Sequence, residues 1–155
     1  MNPLICFAPE ILHVRPWPDE DLGPPGFDAR SGYVEEYWLG ILGPSTVWLL
    51  RRLAAGFDYS PTGFDLDLAE TARSLGLGDR SGRHSPFVRS INRTIQFGIS
   101  MLSGPDQLSV RRRLPMLSRR QLARLPQSLQ VRHAAWEEEV LKAVAAPSTA
   151  EQLAG

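Results

Sequence analysis

Between Ser85 and Gly98 the chain is confined to one conformation, an amphipathic helix. Ser85 supplies a hydroxyl to cap the start. Pro86 suits a first turn whose N–H groups have no partner, and Gly98 suits the stop. At about 100° per residue, Phe87, Val88, Ile91 and Ile95 cover one face, while Arg89, Asn92, Arg93 and Gln96 cover the opposite one at i, i+3, i+4 and i+7. The predicted helix, Pro86 to Phe97, must bury its apolar face against other elements, so the rest of the fold is built around it.

The neighbouring segments supply candidates for that layer. Val34, Tyr37, Trp38 and Ile41 predict a short helix over Tyr33 to Leu42, broken at Gly43-Pro44. A second helix follows from Pro44 to Ala55, with Gly56 as its C-cap. Gly63 to Leu66 reads as a short strand. Asp67 and Glu70 then form an Asp-x-x-Glu cap on a helix from Leu68 to Leu75 that ends at Gly76. Downstream, Ile99 to Leu102 and Gln107 to Leu114 predict a hairpin turning at Ser103-Gly104-Pro105-Asp106. Leu108, Val110 and Leu114 point to one side of it, and Ser109, Arg111 and Arg113 to the other. Ser118 caps a short helix. Pro126 opens the last helix, whose apolar line is Leu129, Trp136, Val140 and Val144, with His133 in the same row. The start is different: Pro16, Pro18, Pro24 and Pro25, mixed with Asp19, Glu20 and Asp21, exclude a long helix and leave Ile11 to Val14 as a short strand or anchor. The expected class is mostly α with a small β-hairpin, α+β. The expected organisation is an acidic Pro-rich arm (1–32), a domain (33–115), C-terminal helices (116–146) and a flexible tail (147–155).

Charge is sorted along the chain. The formal total is zero, yet Arg73 to Arg132 carries twelve arginines against only Asp79 and Asp106. Residues 1–72 and 133–155 are acidic. Such sorting points to a polyanionic partner more than to a fold. Arginine forks onto guanine and asparagine or glutamine pairs with adenine, so Arg89, Asn92, Arg93 and Gln96 are the residue types that read base edges in a major groove. Arg80, Arg83, Arg111 and Arg113 are placed to hold phosphates, which fix register without reading sequence. Arg119, Arg120 and Arg124 extend the basic stretch. The plainer readings are a solvated helix face and an edge strand guarded by charge.

Other chemistry finds no residue set. Cys6 is the only cysteine, so neither an internal disulfide nor a cysteine-built metal site can form. His13, His84 and His133 show no shared metal spacing, and capping accounts for Asp67 and Glu70. The glycine-rich run 76–82 lacks the Gly-Lys-Ser/Thr ending of a phosphate loop, and Ser45 lies outside any nucleophile elbow. The expectation is a protein that is not an enzyme, with no cofactor and no metal. The longest apolar run, Tyr37 to Leu50, is broken by Gly40, Gly43 and Pro44 and falls short of the roughly 20 residues of a spanning helix. With no signal peptide evident, a cytoplasmic protein without membrane contact is expected.

The order helix 44–55, strand 63–66, helix 67–75, helix 85–97 and hairpin 99–114 resembles the winged helix-turn-helix family of bacterial DNA-binding regulators. The run Asp67-Leu-Ala-Glu-Thr-Ala-Arg-Ser-Leu-Gly-Leu77 is similar to that family's first helix and turn. The resemblance covers about 70 of 155 residues and implies Pro86 to Phe97 as recognition helix and Ile99 to Leu114 as wing. The segment 76–84 is longer than the usual turn of about 3–4 residues. The implied function is a transcriptional regulator bound to double-stranded DNA. Two further partners stay open: a second copy of the chain through the C-terminal helices, and another protein docked on the winged scaffold as on an adaptor or inhibitor.

Overall fold

A computed structural model describes residues 3–6, 8–17, 26–78 and 85–145 of the chain. Arg80, Arg83 and His84, the acidic cluster Asp19 to Asp21 and the tail 147–155 lie outside the described residues. The fold is α+β. Contacts divide it into two units, Met1–Met116 and Leu117–Gly155.

In the first unit a four-stranded sheet has the order β3-β1-β5-β4, with β1 Ile11–Pro16, β3 Phe64–Asp67, β4 Ser100–Gly104 and β5 Gln107–Val110. β1 runs antiparallel to β3, pairing Leu12 with Leu66, and parallel to β5, pairing Val14 with Leu108. The short strand expected as one reading of Ile11 to Val14 therefore forms, runs on to Pro16 and lies in the interior of the sheet. Its alternation explains it: Leu12 and Val14 are completely buried while Arg15 is exposed. Pro16 sits at the strand's end, where its missing N–H breaks no ladder. A smaller sheet pairs β2 Phe27–Asp28 with β6 Arg113–Leu114.

The expected strand Gln107 to Leu114 is thus two strands in two sheets. Arg111 leaves the ladder between them: its N–H bonds the Ile99 carbonyl, and its guanidinium stacks over the Trp17 ring, 3.9 Å from the centroid. Leu108, Val110 and Leu114 all still face the core.

Helices cover the sheet. A turn of π-helix, Val34–Trp38, runs directly into α1 Leu39–Leu42. Gly43, at φ 87°, turns the chain in a conformation that a side chain would strain, and Pro44 then opens α2 Pro44–Tyr59. α2 is four residues longer than its pattern suggests, because Gly56 does not cap it. A Cβ at Gly56 would come within 2.4 Å of the Phe64 ring, so this glycine exists to let β3 approach the helix. Phe64 in turn meets Phe57 edge-on at 5.2 Å. α3 Leu68–Ser74 begins at Asp67, whose carboxylate accepts the Glu70 N–H at 2.9 Å, the expected cap. α4 Pro86–Gln96 packs on α2 and β4. Trp38, buried, donates its indole N–H to the Pro115 carbonyl and meets Phe97 edge-on.

Asp28, Arg30 and Asp58 form a charged cluster near the β2–β6 sheet. The Arg30 Nε and Nη2 reach the two Asp28 oxygens at 2.9 and 3.0 Å, and its Nη1 reaches Asp58. The hydrogen bonds from Arg30 hold both carboxyls below their ordinary range, at Asp28 against partial burial.

The second unit holds α5 Arg119–Leu122, closed by a reciprocal Ser118–Gln121 capping box, and α6 Gln127–Ala145. Only His133 of α6 is buried. Leu129, Trp136 and Val140 are half-buried, and Val131, Leu141 and Val144 are exposed. Burial holds His133 below its ordinary pKa of 6.5, opposed by the nearby Glu137 carboxylate. Among the described residues no helix is long and apolar enough to cross a membrane.

Three outcomes are expected. Leu12→Ala should lower the stability of the first unit by about 2–5 kcal/mol in urea unfolding; a neutral result would mean that β1 is a dispensable arm. Because the folded chain holds Asp28 below its ordinary 3.8, the unfolded chain protonates first, and stability should fall as pH drops below 3.8. Arg30→Gln should flatten that acid limb. His133 acts in the same sense in a higher pH range: its unfolded ring charges below 6.5 while the folded ring resists, so the second unit should lose stability as pH falls through and below that value. The slope should vanish in His133→Phe, as read by circular dichroism melts across pH.

Candidate nucleic-acid interface

α4 is positioned by its caps and its apolar face. The Ser85 hydroxyl accepts the Val88 N–H at 3.1 Å, Pro86 occupies the first turn, and Gly98 turns the chain into β4. Phe87, Val88, Ile91 and Ile95 are buried as their spacing requires. Three further residues are also buried: Ser90, Asn92 and Thr94. Ser90 donates to the Pro86 carbonyl and shares a 3.0 Å hydrogen bond with Ser45 on α2, and Thr94 donates to the Ile91 carbonyl. The outward row is therefore narrower than expected and consists of Arg89, Arg93 and Gln96, all exposed.

Asn92 is the correction. It lies 9% exposed, because the segment before β1 covers it. The Ile5 N–H donates to Asn92 Oδ1 at 2.8 Å, and Asn92 Nδ2 donates to the Ile5 carbonyl at 3.2 Å. An amide with both groups buried must find such partners. The two residues are 87 positions apart, and nothing in the local pattern of α4 distinguishes Asn92 from its exposed neighbours.

A cleft of about 620 Å³ runs beside this face. Its lining includes Arg89, Arg93, Gln96, Ser45 and Ser90 with Leu4, Ile5 and Cys6, and among the described residues it includes no carboxylate. Arg93 is partly anchored there, donating Nη1 to the Leu42 carbonyl at 3.2 Å, which orients the guanidinium without neutralising it. The result is a cationic, hydroxyl-rich surface that can accept an anion or the acceptor edge of a base.

Of the residues expected to hold phosphates, the two that are described do not join that row. Arg80 and Arg83 lie outside the described residues. Arg111 is committed elsewhere, with Nε on the Gly98 carbonyl at 3.0 Å, its plane on Trp17 and Nη1 buried without a hydrogen-bond partner among the described residues. Arg113 is exposed but lies opposite Asp28 in the β2–β6 pairing, beside Arg30, Asp58 and Arg112. Arg112 donates to the Phe57 carbonyl at 3.3 Å and sits over the Phe57 ring. Arg119, Arg120 and Arg124 are exposed in the second unit.

His13 is a residue the spacing argument passed over. Its Nδ1 lies 2.6 Å from Asp65 on β3, and its Nε2 lies 3.6 Å from Asp106 in the hairpin turn. The imidazole thereby bridges both neighbours of β1. Among the described residues no three histidine, cysteine or carboxylate groups converge as a metal site. No protein-family model, no curated protein and no solved structure matches the chain.

If Arg111 is a structural arginine, Arg111→Gln should destabilise the first unit by about 1–3 kcal/mol through the lost stack and the bond to Gly98. Arg89→Gln should stay within about 0.5 kcal/mol of wild type. Thermal melts of the two variants provide the comparison.

Proposed function

We propose that this chain is a duplex-DNA-binding protein of winged helix-turn-helix type, acting as a transcriptional regulator, with α4 as the helix that enters the major groove. One observation carries the reading: Arg89, Arg93 and Gln96 stand exposed in a row on one capped helix, beside a cleft lined by no described carboxylate. Their spacing matches one groove-facing edge, and their chemistry matches guanine and adenine acceptors. Supporting it, α2, β3, α3, α4 and the β4–β5 hairpin follow one another in the order of that family. β1, inserted between β3 and β5, is a departure from the simple pattern expected of a wing. In this reading the phosphate contacts come from whichever of Arg80, Arg83 and Arg113 reach the duplex.

A second reading is favoured by α6. Val131, Leu141 and Val144 are all more than 60% exposed on it. A protein partner, or a second copy of the chain joining two DNA half-sites, would cover that surface.

The experiment is a mobility-shift assay on a library of duplexes at two salt concentrations. Binding should weaken steeply with salt, since displaced counterions drive it. Arg93→Ala should cost about 1–3 kcal/mol and relax preference at one base pair. Retention of full affinity and preference by Arg93→Ala would remove α4 as the reading helix.

A further inference from the structure

The clamp between Asn92 and Ile5 has no part in the reading above. Asn92 stands at the second position of the row Arg89, Asn92, Arg93, Gln96, yet both halves of its amide are taken up by one backbone residue. The pattern offered by Ile5 is one N–H donor and one carbonyl acceptor, side by side. The adenine edge in a major groove offers the same pair, an N6–H donor beside the N7 acceptor, and asparagine binds it through the same two groups. Guanine offers two acceptors there and cannot replace Ile5 group for group.

We propose that residues 4–6 are a strap that occupies Asn92 as an adenine surrogate, and that a duplex carrying adenine at the matching position displaces it. The proposal rests on α4 being the DNA-reading helix. Leu4, Ile5 and Cys6 line the same cleft as Arg89, Arg93 and Gln96, so a ligand seated on those side chains meets the strap directly. With the strap gone Asn92 is open to water, so the strap is held by its two hydrogen bonds and by the burial of Ile5. A ligand that supplies an equivalent donor and acceptor replaces those two bonds and shifts the balance toward the open form. Displacement also uncovers the Ile5 side chain, 3% exposed in the closed form, which keeps the strap in place against water and against mismatched sequence. Strap release would thus couple occupancy of α4 to a single base identity and would restore the full four-residue row.

The test uses the full chain. Hydrogen exchange at the Ile5 amide should accelerate when the preferred duplex is added, because its acceptor on Asn92 is taken over by the base. Ile5→Pro removes that N–H and unseats the side chain while leaving Asn92 intact. It should bind the preferred duplex about tenfold more tightly, as expected when a binding-competent state held at about one tenth becomes dominant. Replacing adenine by guanine at the position read by Asn92 should abolish the acceleration. Unchanged or slowed exchange at Ile5 in the wild-type complex overturns the strap, and this measurement stands even if Ile5→Pro fails to fold. Equal or weaker binding by folded Ile5→Pro overturns it too. If Arg93→Ala weakens binding while Ile5 exchange is unmoved, the strap alone falls. If Arg93→Ala matches wild type on every duplex, the reading of α4 falls and the strap with it.

Discussion

β1 is bonded on both edges, and the first unit is organised by that fact. β3 and the β4–β5 hairpin have no ladder between them; each meets β1 instead. The strand brings Leu12 and Val14 to the core and His13 to the Asp65 and Asp106 carboxylates. Beyond its end, the Trp17 N–H bonds the Val110 carbonyl, and the Trp17 ring carries Arg111. Without β1, β3 and β5 would each present an unpaired edge, and Arg111 would lose its stacking surface. The place of the hairpin in the sheet is therefore set by Ile11–Pro16.

The arrangement also decides which arginines remain available. Positive charge is concentrated in Arg73 to Arg132 along the sequence, but folding distributes its members to different tasks. Arg111 and Arg112 become structural through carbonyls and aromatic rings, and Arg113 comes to lie near Asp28. Arg89 and Arg93 keep a cleft in which no described residue is a carboxylate. A charge run is thus an upper bound on a binding surface, since guanidinium planes that pack on tryptophan or phenylalanine also serve the core.

What could be read from the sequence was what is local. Ser85 with Val88, Asp67 with Glu70 and Ser118 with Gln121 are caps spanning three residues, and each forms as expected. The burial of Phe87, Val88, Ile91 and Ile95 follows from helical period alone. The misreadings turn on partners outside the local pattern. Gly56 looked like a helix stop because Phe64 was not known to lie on it. Ile11 to Val14 reads locally as a short strand or an anchor, but its place inside a sheet is hidden because its ladder partners lie around residues 66 and 108. Asn92 looked solvated because its partner is Ile5. A polar residue on a helix carries no mark of which distant backbone will meet it. The same holds for Arg111 and Trp17.

The parallel pairing of β1 with β5 joins His13 to Gln107. A hairpin or a capped helix closes over a few residues, whereas this contact closes a loop of nearly the whole first unit, at an entropic cost that grows with its length. During synthesis β1 emerges first, and at typical elongation rates it waits for roughly 5–20 s before the β5 strand has been made. In that interval Leu12 and Val14 are an apolar strand lacking one of its two neighbours, open to chaperones or to the same strand on an adjacent nascent chain. The charged residues on either side, Glu10 and Arg15, are the gatekeepers that such a delayed strand needs.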